Sequence, residues 1–353
     1  MRSYSLAGRT APRSGRHYAR LCAAELPATI EVYRQLFAAA GLHPARVQEL
    51  ATGARAALRD WAPDLADCID AIADEAGLPA WQLHALNART ELLSAAPAGR
   101  GECTALARPG LGGQTWDWHR ELAGSWLVAG YPELPLPFIT LTEAGMLAKI
   151  GVNAAGVGLL FTILGHRGDT GVAGVGVHTV ARRVLDTATD VAAAIAIIAS
   201  APLSASSCFT VLDAHRVACV EASPLGVHEV PAEGGWCAHT NHFVSPALAG
   251  GELRTGPDTD TVQRLALLRH RLTAGPEVDS ADQLRRLLCA HQADGAPICC
   301  HSDGAGPLGS NWQSLATVVL QPSAARLLVQ AGGPCEASPA GWLIGQVGDA
   351  ATS

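Results

Sequence analysis

An α+β protein of packed layers is what this sequence predicts, and three observations carry the prediction. The first hundred residues are helical in pattern, the chain then turns to short strands in hairpins, and further helices stand between and after the strands. That segregation speaks against a parallel βαβ arrangement. Consistently, there is no dinucleotide fingerprint, phosphate-binding loop, Gly-x-Ser-x-Gly elbow or His-Glu-x-x-His pair, which removes several large enzyme classes. The 353 residues, 48% hydrophobic and 16% charged, can bury a large core.

Taken in order, Leu26 to Ala40 has helical apolar spacing with Gly41 placed as its C′ residue. Arg46 to Ala76 reads as one or two helices stopped by Gly77 and Pro79, and Ala80 to Leu93 as another. Residues 95–101, small and rich in glycine and alanine, punctuate the chain at a place suited to cleavage. Cys103–Arg108 and Gln114–His119 flank Pro109–Gly113 as a hairpin, and Phe138–Thr142, Lys149–Val152 and Val157–Leu164 continue the strands. Asp186 to Ser200 reads as a helix, Cys208–Asp213, Arg216–Glu221 and Gly226–Val230 as a meander, Asp258–Leu272 and Ser280–Ala290 as helices, and Ala316–Leu320 with Ala325–Gln330 as a closing strand pair. No fixed-period repeat is present.

Charge and cysteine content narrow the function. A net charge of -7 argues against a nucleic-acid partner held through phosphates. Lys149 is the only lysine among 25 basic residues. Arginines at 2, 9, 13, 16 and 20 precede no apolar stretch of signal-peptide type, and Val191–Ala199 is too short to span a bilayer, which needs about 20 residues. The expectation is a cytoplasmic protein with no membrane partner, whose ten cysteines are free thiols.

Chemistry gathers at Cys103. Centring the turn near Leu111 puts Cys103 opposite position 119 with Asp117 as the diagonal neighbour; a one-residue shift puts Asp117 directly opposite. In either register the two share a face, about 4.5–5.5 Å apart if opposite and roughly 7–8 Å if diagonal. If the Glu102–Cys103 bond breaks, Cys103 becomes an N-terminus that supplies both sulfur and base. A free α-amino group has a pKa of about 7.7–8.0 against ~10.4 for lysine, so a useful fraction is unprotonated at neutral pH. Asn241, within Cys237–Phe243, offers amide donors without a charge and is the candidate for stabilising an oxyanion. Trp118 and His119 are candidate pocket residues on the returning strand, with core packing as the plainer reading of Trp118.

At these residues the chain resembles the isopenicillin N acyltransferase family of autoproteolytic N-terminal-nucleophile hydrolases. The resemblance rests on Leu86-Asn87-Ala88-Arg89-Thr90-Glu91, Cys103-Thr104, Gly113-Gln114-Thr115-Trp116-Asp117-Trp118, Thr142–Gly145 with Lys149–Gly156, and His239-Thr240-Asn241-His242-Phe243, in that order. It implies a four-layer αββα sandwich, one domain over 1–353 cut into 1–102 and 103–353, with the first piece as partner of the second. It further implies a nucleophile at Cys103, an acid at Asp117 and an oxyanion asparagine at Asn241. No metal or prosthetic group is implied. The substrates are small amides or acyl donors, acyl-coenzyme A among them, and the acyl group passes to water or an amine; natural-product tailoring is the setting inferred. One departure stands out: Ile298-Cys299-Cys300-His301 carries Cys300 where the family usually has arginine, which makes Cys300 a third pocket candidate and disfavours a carboxylate there.

Two other readings compete. Cys237, His239 and His242 with Cys299, Cys300 and His301 hold enough donors for zinc, but at a spacing unusual for a structural site. A binding module that keeps the fold without catalysis has only Cys300 in its support. The sequence does not specify an oligomeric state.

Overall fold

The computed structural model describes residues 2–94, 103–256, 259–275 and 277–348. A short strand β1 (Ser3–Ser5) leads into six helices: α1 (Ala11–Leu21), α2 (Glu25–Ala39), α3 (Pro44–Trp61), α4 (Pro63–Ala76), α5 (Ala80–Asn87) and α6 (Arg89–Ser94). The long helical run expected over 46–76 is two helices because Pro63 lacks an amide hydrogen and starts a new one. The run expected over 80–93 is likewise divided, at Ala88. Leu26, Leu65, Ile69, Ile72 and Leu83 lie at most 1% exposed and join these helices into one core with the sheets. At ~25 cal/mol per Å² of apolar surface, each such side chain stabilises the fold by roughly 1.5–3 kcal/mol.

After residue 103 come β2 (Thr104–Arg108), β3 (Leu111–His119), β4 (Trp126–Tyr131), β5 (Phe138–Glu143), β6 (Ile150–Asn153) and β7 (Gly158–Ile163). Two helices follow, α7 (Val177–Thr187) and α8 (Val191–Ser200). The helix expected over 186–200 begins instead at Asp190, whose carboxylate accepts from the Ala193 amide at 2.7 Å, while Asp186 belongs to the preceding helix. Then β8 (Ser207–Leu212), β9 (Val217–Ser223) and β10 (Gly226–Val230) form the meander, followed by β11 (Cys237–His239), α9 (Pro246–Ala249), α10 (Thr261–Thr273), α11 (Ala281–Leu288), β12 (Trp312–Gln321), β13 (Arg326–Ala331) and β14 (Leu343–Gln346).

The strands make two sheets, ordered β1-β4-β5-β6-β7-β8-β9-β10 and β11-β2-β3-β12-β13-β14. They face each other through β2 and β3 against β7 and β8, and through β12 and β13 against β5 and β6. Helices α7 and α8 cover the outer face of the first sheet, α10 and α11 that of the second. The architecture is therefore the four-layer αββα sandwich. Strand β3 runs through its middle with all nine residues buried. Here Gly113 is required: a Cβ at that position would come within 2.7 Å of Leu284 on α11.

The β2–β3 register differs from the one expected. Arg108 pairs with Leu111 and Thr104 with Thr115, so only Pro109 and Gly110 turn, and residues 111–113 are already strand. Proline holds φ near −65° and Gly110 has φ 80°, the pair of dihedrals that a tight type II turn demands. Continuing this register sets Cys103 beside Trp116, neither opposite Asp117 nor opposite His119. Cys103 precedes the first paired residue of β2, which frees it from strict alternation.

Candidate active site

A cavity of about 670 Å³ lies where the β2–β3 hairpin meets the N-terminal helices, and Cys103, Asp117 and Asn241 all line it. Its walls are mostly apolar, including Trp116, Phe161, Leu164 and Trp312. Leu36 of α2 and Leu93 of α6 close it from the N-terminal segment, and Leu308 from the loop before β12.

Cys103 is 7% exposed, and its Sγ lies 3.7 Å from the backbone carbonyl of Asp117. So the two residues do meet, through the main chain of one and the side chain of the other. The Asp117 carboxylate accepts from Ser314 Oγ at 2.6 Å, while Thr115, on the same face of β3, approaches its other oxygen at 3.5 Å. Thr115 Oγ1 also accepts from the Thr104 amide at 3.1 Å, which ties the start of β2 to β3.

Arg264 on α10 joins the other two. Its Nη1 donates to the Cys103 carbonyl at 3.0 Å and to Thr104 Oγ1 at 2.8 Å, its Nη2 to Asn241 Oδ1 at 2.9 Å, and its Nε to Asp260 at 2.6 Å. A guanidinium has donors only, so the atom of Asn241 facing it must be the amide oxygen. This orients the NH₂ group. One of its hydrogens goes to the Ile163 carbonyl at 3.0 Å; among the described residues the other has no acceptor. The site thus presents a sulfur, a fixed carboxylate and a spare amide donor around one space. Sequence reasoning missed Arg264 and Ser314, which lie far along the chain and carry no local motif.

It also missed a buried charge cluster in the same wall. Glu143 accepts from Arg89 at 3.1 Å, from the Tyr33 hydroxyl at 2.5 Å, and from Lys149. Arg89 sits 3.9 Å over the Trp118 ring and Lys149 Nζ 4.0 Å over that of Trp116, both cation–π distances. Burial and the like charge of Arg89 press the Lys149 pKa down to about 7, against the pull of Glu143. Burial alone would raise the Glu143 carboxyl, but the two cations outweigh it and hold it at about 2. Burial, helped by the Asp117 charge, pushes the Cys103 thiol up to about 11, with Lys149 and Arg264 countering weakly.

The remaining expectations divide. Trp118 and His119 both line the cavity, and Trp118 is also packed into the buried core, the plainer reading of it. His119 packs against Trp118 and Trp312; burial and then Arg89 lower its pKa to about 4, so it is neutral at pH 7. Cys300 does not line the cavity: its Sγ donates to the Trp312 carbonyl at 3.4 Å, and its amide donates to Ser314 Oγ at 3.0 Å. Its link to the site runs through Ser314. The metal grouping weighed in the sequence does not form. His239 is held by Glu221 at 2.9 Å and by the Thr240 carbonyl, away from Cys299 and His301. Glu102 and the rest of 95–102 lie outside the described residues, so the bond expected to break is placed on one side only.

A two-sheet sandwich with a buried thiol, carboxylate and amide at its hairpin mouth defines a class of cysteine-centred αββα proteins. Within it, the chain belongs to the acyl-coenzyme A:6-aminopenicillanic acid acyl-transferase family, whose sequence model matches residues 106–334. Over 181 residues it is 29% identical to the 40 kDa form of acyl-coenzyme A:6-aminopenicillanic-acid-acyltransferase of Emericella nidulans, an alignment that takes in 49% of this chain and 50% of that protein. The chain thus matches about half the length of that curated relative. Among solved structures, it is similar to the Caenorhabditis elegans N-acylethanolamine-hydrolyzing acid amidase ortholog (TM-score 0.44, 11% identity, 62% of this chain and 93% of that one). It is also similar to a mutant of conjugated bile acid hydrolase from Clostridium perfringens (TM-score 0.41, 9% identity, 65% and 89%).

Proposed function

We propose that this protein is a self-processing cysteine amidohydrolase or acyltransferase acting on a small amide or acyl donor with an apolar acyl group. The observation that supports it most is the meeting of Cys103, Asp117 and Asn241 in one largely apolar cavity. In the uncut chain a thiol held at about 11 is almost wholly protonated at pH 7 and a poor nucleophile. Processing changes this. Cys103 Sγ attacks the Glu102 carbonyl, the peptide C–N bond breaks as the C–S bond forms, and the departing nitrogen becomes the α-amino group of Cys103. Water then attacks the thioester, leaving residues 1–102 with a carboxylate and Cys103 with a free thiol.

The new amine is the base that the site lacked. It takes the thiol proton while the sulfur attacks the substrate carbonyl, and returns a proton to the leaving amine. The spare amide hydrogen of Asn241 donates to the oxyanion. Asp117, locked by Ser314, faces the protonated amine and holds it beside the sulfur. The acyl group rests on Cys103 as a thioester until water or an amine accepts it. Family membership supports acyl-coenzyme A as one donor to try, and a natural-product amide as another. Residues 1–102 stay bound, because Leu36, Arg89 and Leu93 form part of the cavity wall.

Intact-mass spectrometry with a panel of N-acyl amides tests this. Wild-type protein should give pieces of about 10–11 and about 26 kDa, the 36.5 kDa chain divided at residue 102, and hydrolyse a member of the panel. Cys103→Ala should remain one chain and be inactive. A Cys103→Ala chain that splits like the wild type would sink the proposal. Splitting of the wild type with no turnover of any acyl donor would favour a binding role instead.

A further inference from the structure

Away from the cavity, the loop between α11 and β12 and the loop after β13 bring four metal-type donors together. The sequence of the first loop repeats one pattern, Cys289-x-His291 and Cys299-x-His301, and the second contributes Cys335. In the fold, single ligand atoms of His291, Cys299 and Cys335 all lie within 4.8 Å of one another. His301 Nε2 stands 3.3 Å from His291 Nε2 and 3.4 Å from Cys335 Sγ.

The two distances made by His301, 3.3 and 3.4 Å, are those of a coordination shell, and the 4.8 Å bound on the other three donors leaves a short contraction to reach one. Tetrahedral zinc has Zn–N of about 2.0–2.1 Å and Zn–S of about 2.3 Å, so the tetrahedron's edges are roughly 3.3 Å between two nitrogens and roughly 3.5 Å between nitrogen and sulfur. Two imidazole nitrogens facing at 3.3 Å fit a shared cation as well as they fit a single shared proton. Two thiolates and two imidazoles are a donor set that selects zinc over magnesium or calcium. The grouping differs from the one weighed in the sequence: Cys299 and His301 take part, but with His291 and Cys335 in place of Cys237, His239, His242 and Cys300.

We propose that His291, Cys299, His301 and Cys335 form a structural zinc site that clips the loop after β13 to the loop before β12. Binding releases the two thiol protons and leaves both sulfurs as thiolates. Its place in the fold gives it a purpose. Cys299 and His301 flank Cys300, whose amide donates to Ser314 Oγ, and Ser314 in turn donates to Asp117. Just beyond His301, the same loop supplies Leu308 and Ser310 to the cavity wall. The metal therefore pins the segment that positions Asp117 and walls the cavity, while touching no reacting atom. The inference stands apart from the proposed activity, since its readouts are metal content and spectra.

The test is to purify the full-length chain without a metal-affinity tag, measure zinc by elemental mass spectrometry, and repeat the measurement with cobalt in its place. About one equivalent of zinc per chain is expected, with the d–d bands of tetrahedral cobalt and a thiolate-to-cobalt charge-transfer band. Cys335→Ala should lose the charge-transfer intensity of one sulfur and bind at least tenfold more weakly. His301→Ala, at an exposed position, should weaken binding similarly and serves if Cys335→Ala does not fold. Metal content no higher in wild type than in both variants would overturn the proposal. So would a mass two hydrogens lighter, with Cys299 and Cys335 joined as a disulfide in freshly purified protein.

Discussion

Asn241 is held from both sides, its oxygen by Arg264 and one amide hydrogen by the Ile163 carbonyl, which leaves a single hydrogen for a substrate oxygen. Removing one such donor in other hydrolytic sites costs ~10²–10³ in kcat. Under the proposed mechanism, Asn241→Ala should therefore lower kcat by about that factor with little change in KM, as measured in steady-state assays on the member of the N-acyl amide panel that wild type turns over. The Asn241 block was legible in the sequence because the four other residues of its motif, His239, Thr240, His242 and Phe243, adjoin it. Arg264 was not, since one arginine in an ordinary helical pattern carries no signal until the fold brings it 3.0 Å from the Cys103 carbonyl.

At the level of elements, β3 owes its position to Gly112 and Gly113, where a Cβ would come within 2.9 Å of Leu212 and 2.7 Å of Leu284 respectively. Gly113→Ala would set a Cβ within 2.7 Å of Leu284 and 3.0 Å of the Val318 carbonyl. Overpacking of this kind typically costs ~1–3 kcal/mol. Leu284→Ala alone should cost roughly 2–5 kcal/mol by leaving a cavity. In urea unfolding, the double variant should be more stable than the sum of the two losses, because the added methyl then has room; simple additivity would mean that the helix does not bear on β3. The hairpin itself was legible from its glycines and alternation, yet its register was not. Four turn-forming residues and a leucine stand at 109–113, and only the pairing of Leu111, Gly112 and Gly113 with β2, joined by that of Gly112 and Gly113 with β12 on the other edge, shows that these three are strand.

For the molecule as a whole, the Glu143 cluster binds the N-terminal helices to the sheets: Tyr33 comes from α2, Arg89 from α6, Glu143 from β5 and Lys149 from just before β6. Asn87 does the same with neutral bonds, donating to the Gly145 carbonyl at 2.8 Å and accepting from the Leu147 amide at 3.0 Å. Glu143→Gln leaves two buried cations without their counter-ion and should destabilise by ~3–5 kcal/mol. In the two-chain form proposed above, the small chain should then dissociate from the large one on size-exclusion chromatography at urea concentrations where the wild-type pair stays together. The pH dependence also belongs to this scale. Burial holds His119 and His242 at about 4, against 6.5 when free, so below 6.5 the unfolded chain binds protons that the folded one refuses. Stability should fall as pH drops from 6.5 to 4, by up to ~1.4 kcal/mol per unit for each histidine. Glu91, raised by burial to about 7, acts in the opposite sense between 4.5 and 7, as do Asp169 and Asp186, both raised by burial, while His84 and His178, both lowered by burial, add to the histidine side. A melting temperature that rises on acidification through this range would contradict the sign.

Local pattern was enough to read the helices between Leu26 and Leu93, though not β1 or α1 before them, and the switch to strands, the meander and the terminal strand pair, because each rests on spacing within a dozen residues. It was enough, too, to single out Cys103, Asp117 and Asn241, whose chemistry is carried by residue type. Only the folded chain decided the β2–β3 register, the removal of Cys300 from the cavity wall, and the partnership of Glu143 with Lys149 and Arg89. Each of those depends on contacts that lie beyond the reach of a local pattern, and side-chain identity alone does not specify which of many distant partners packing will choose.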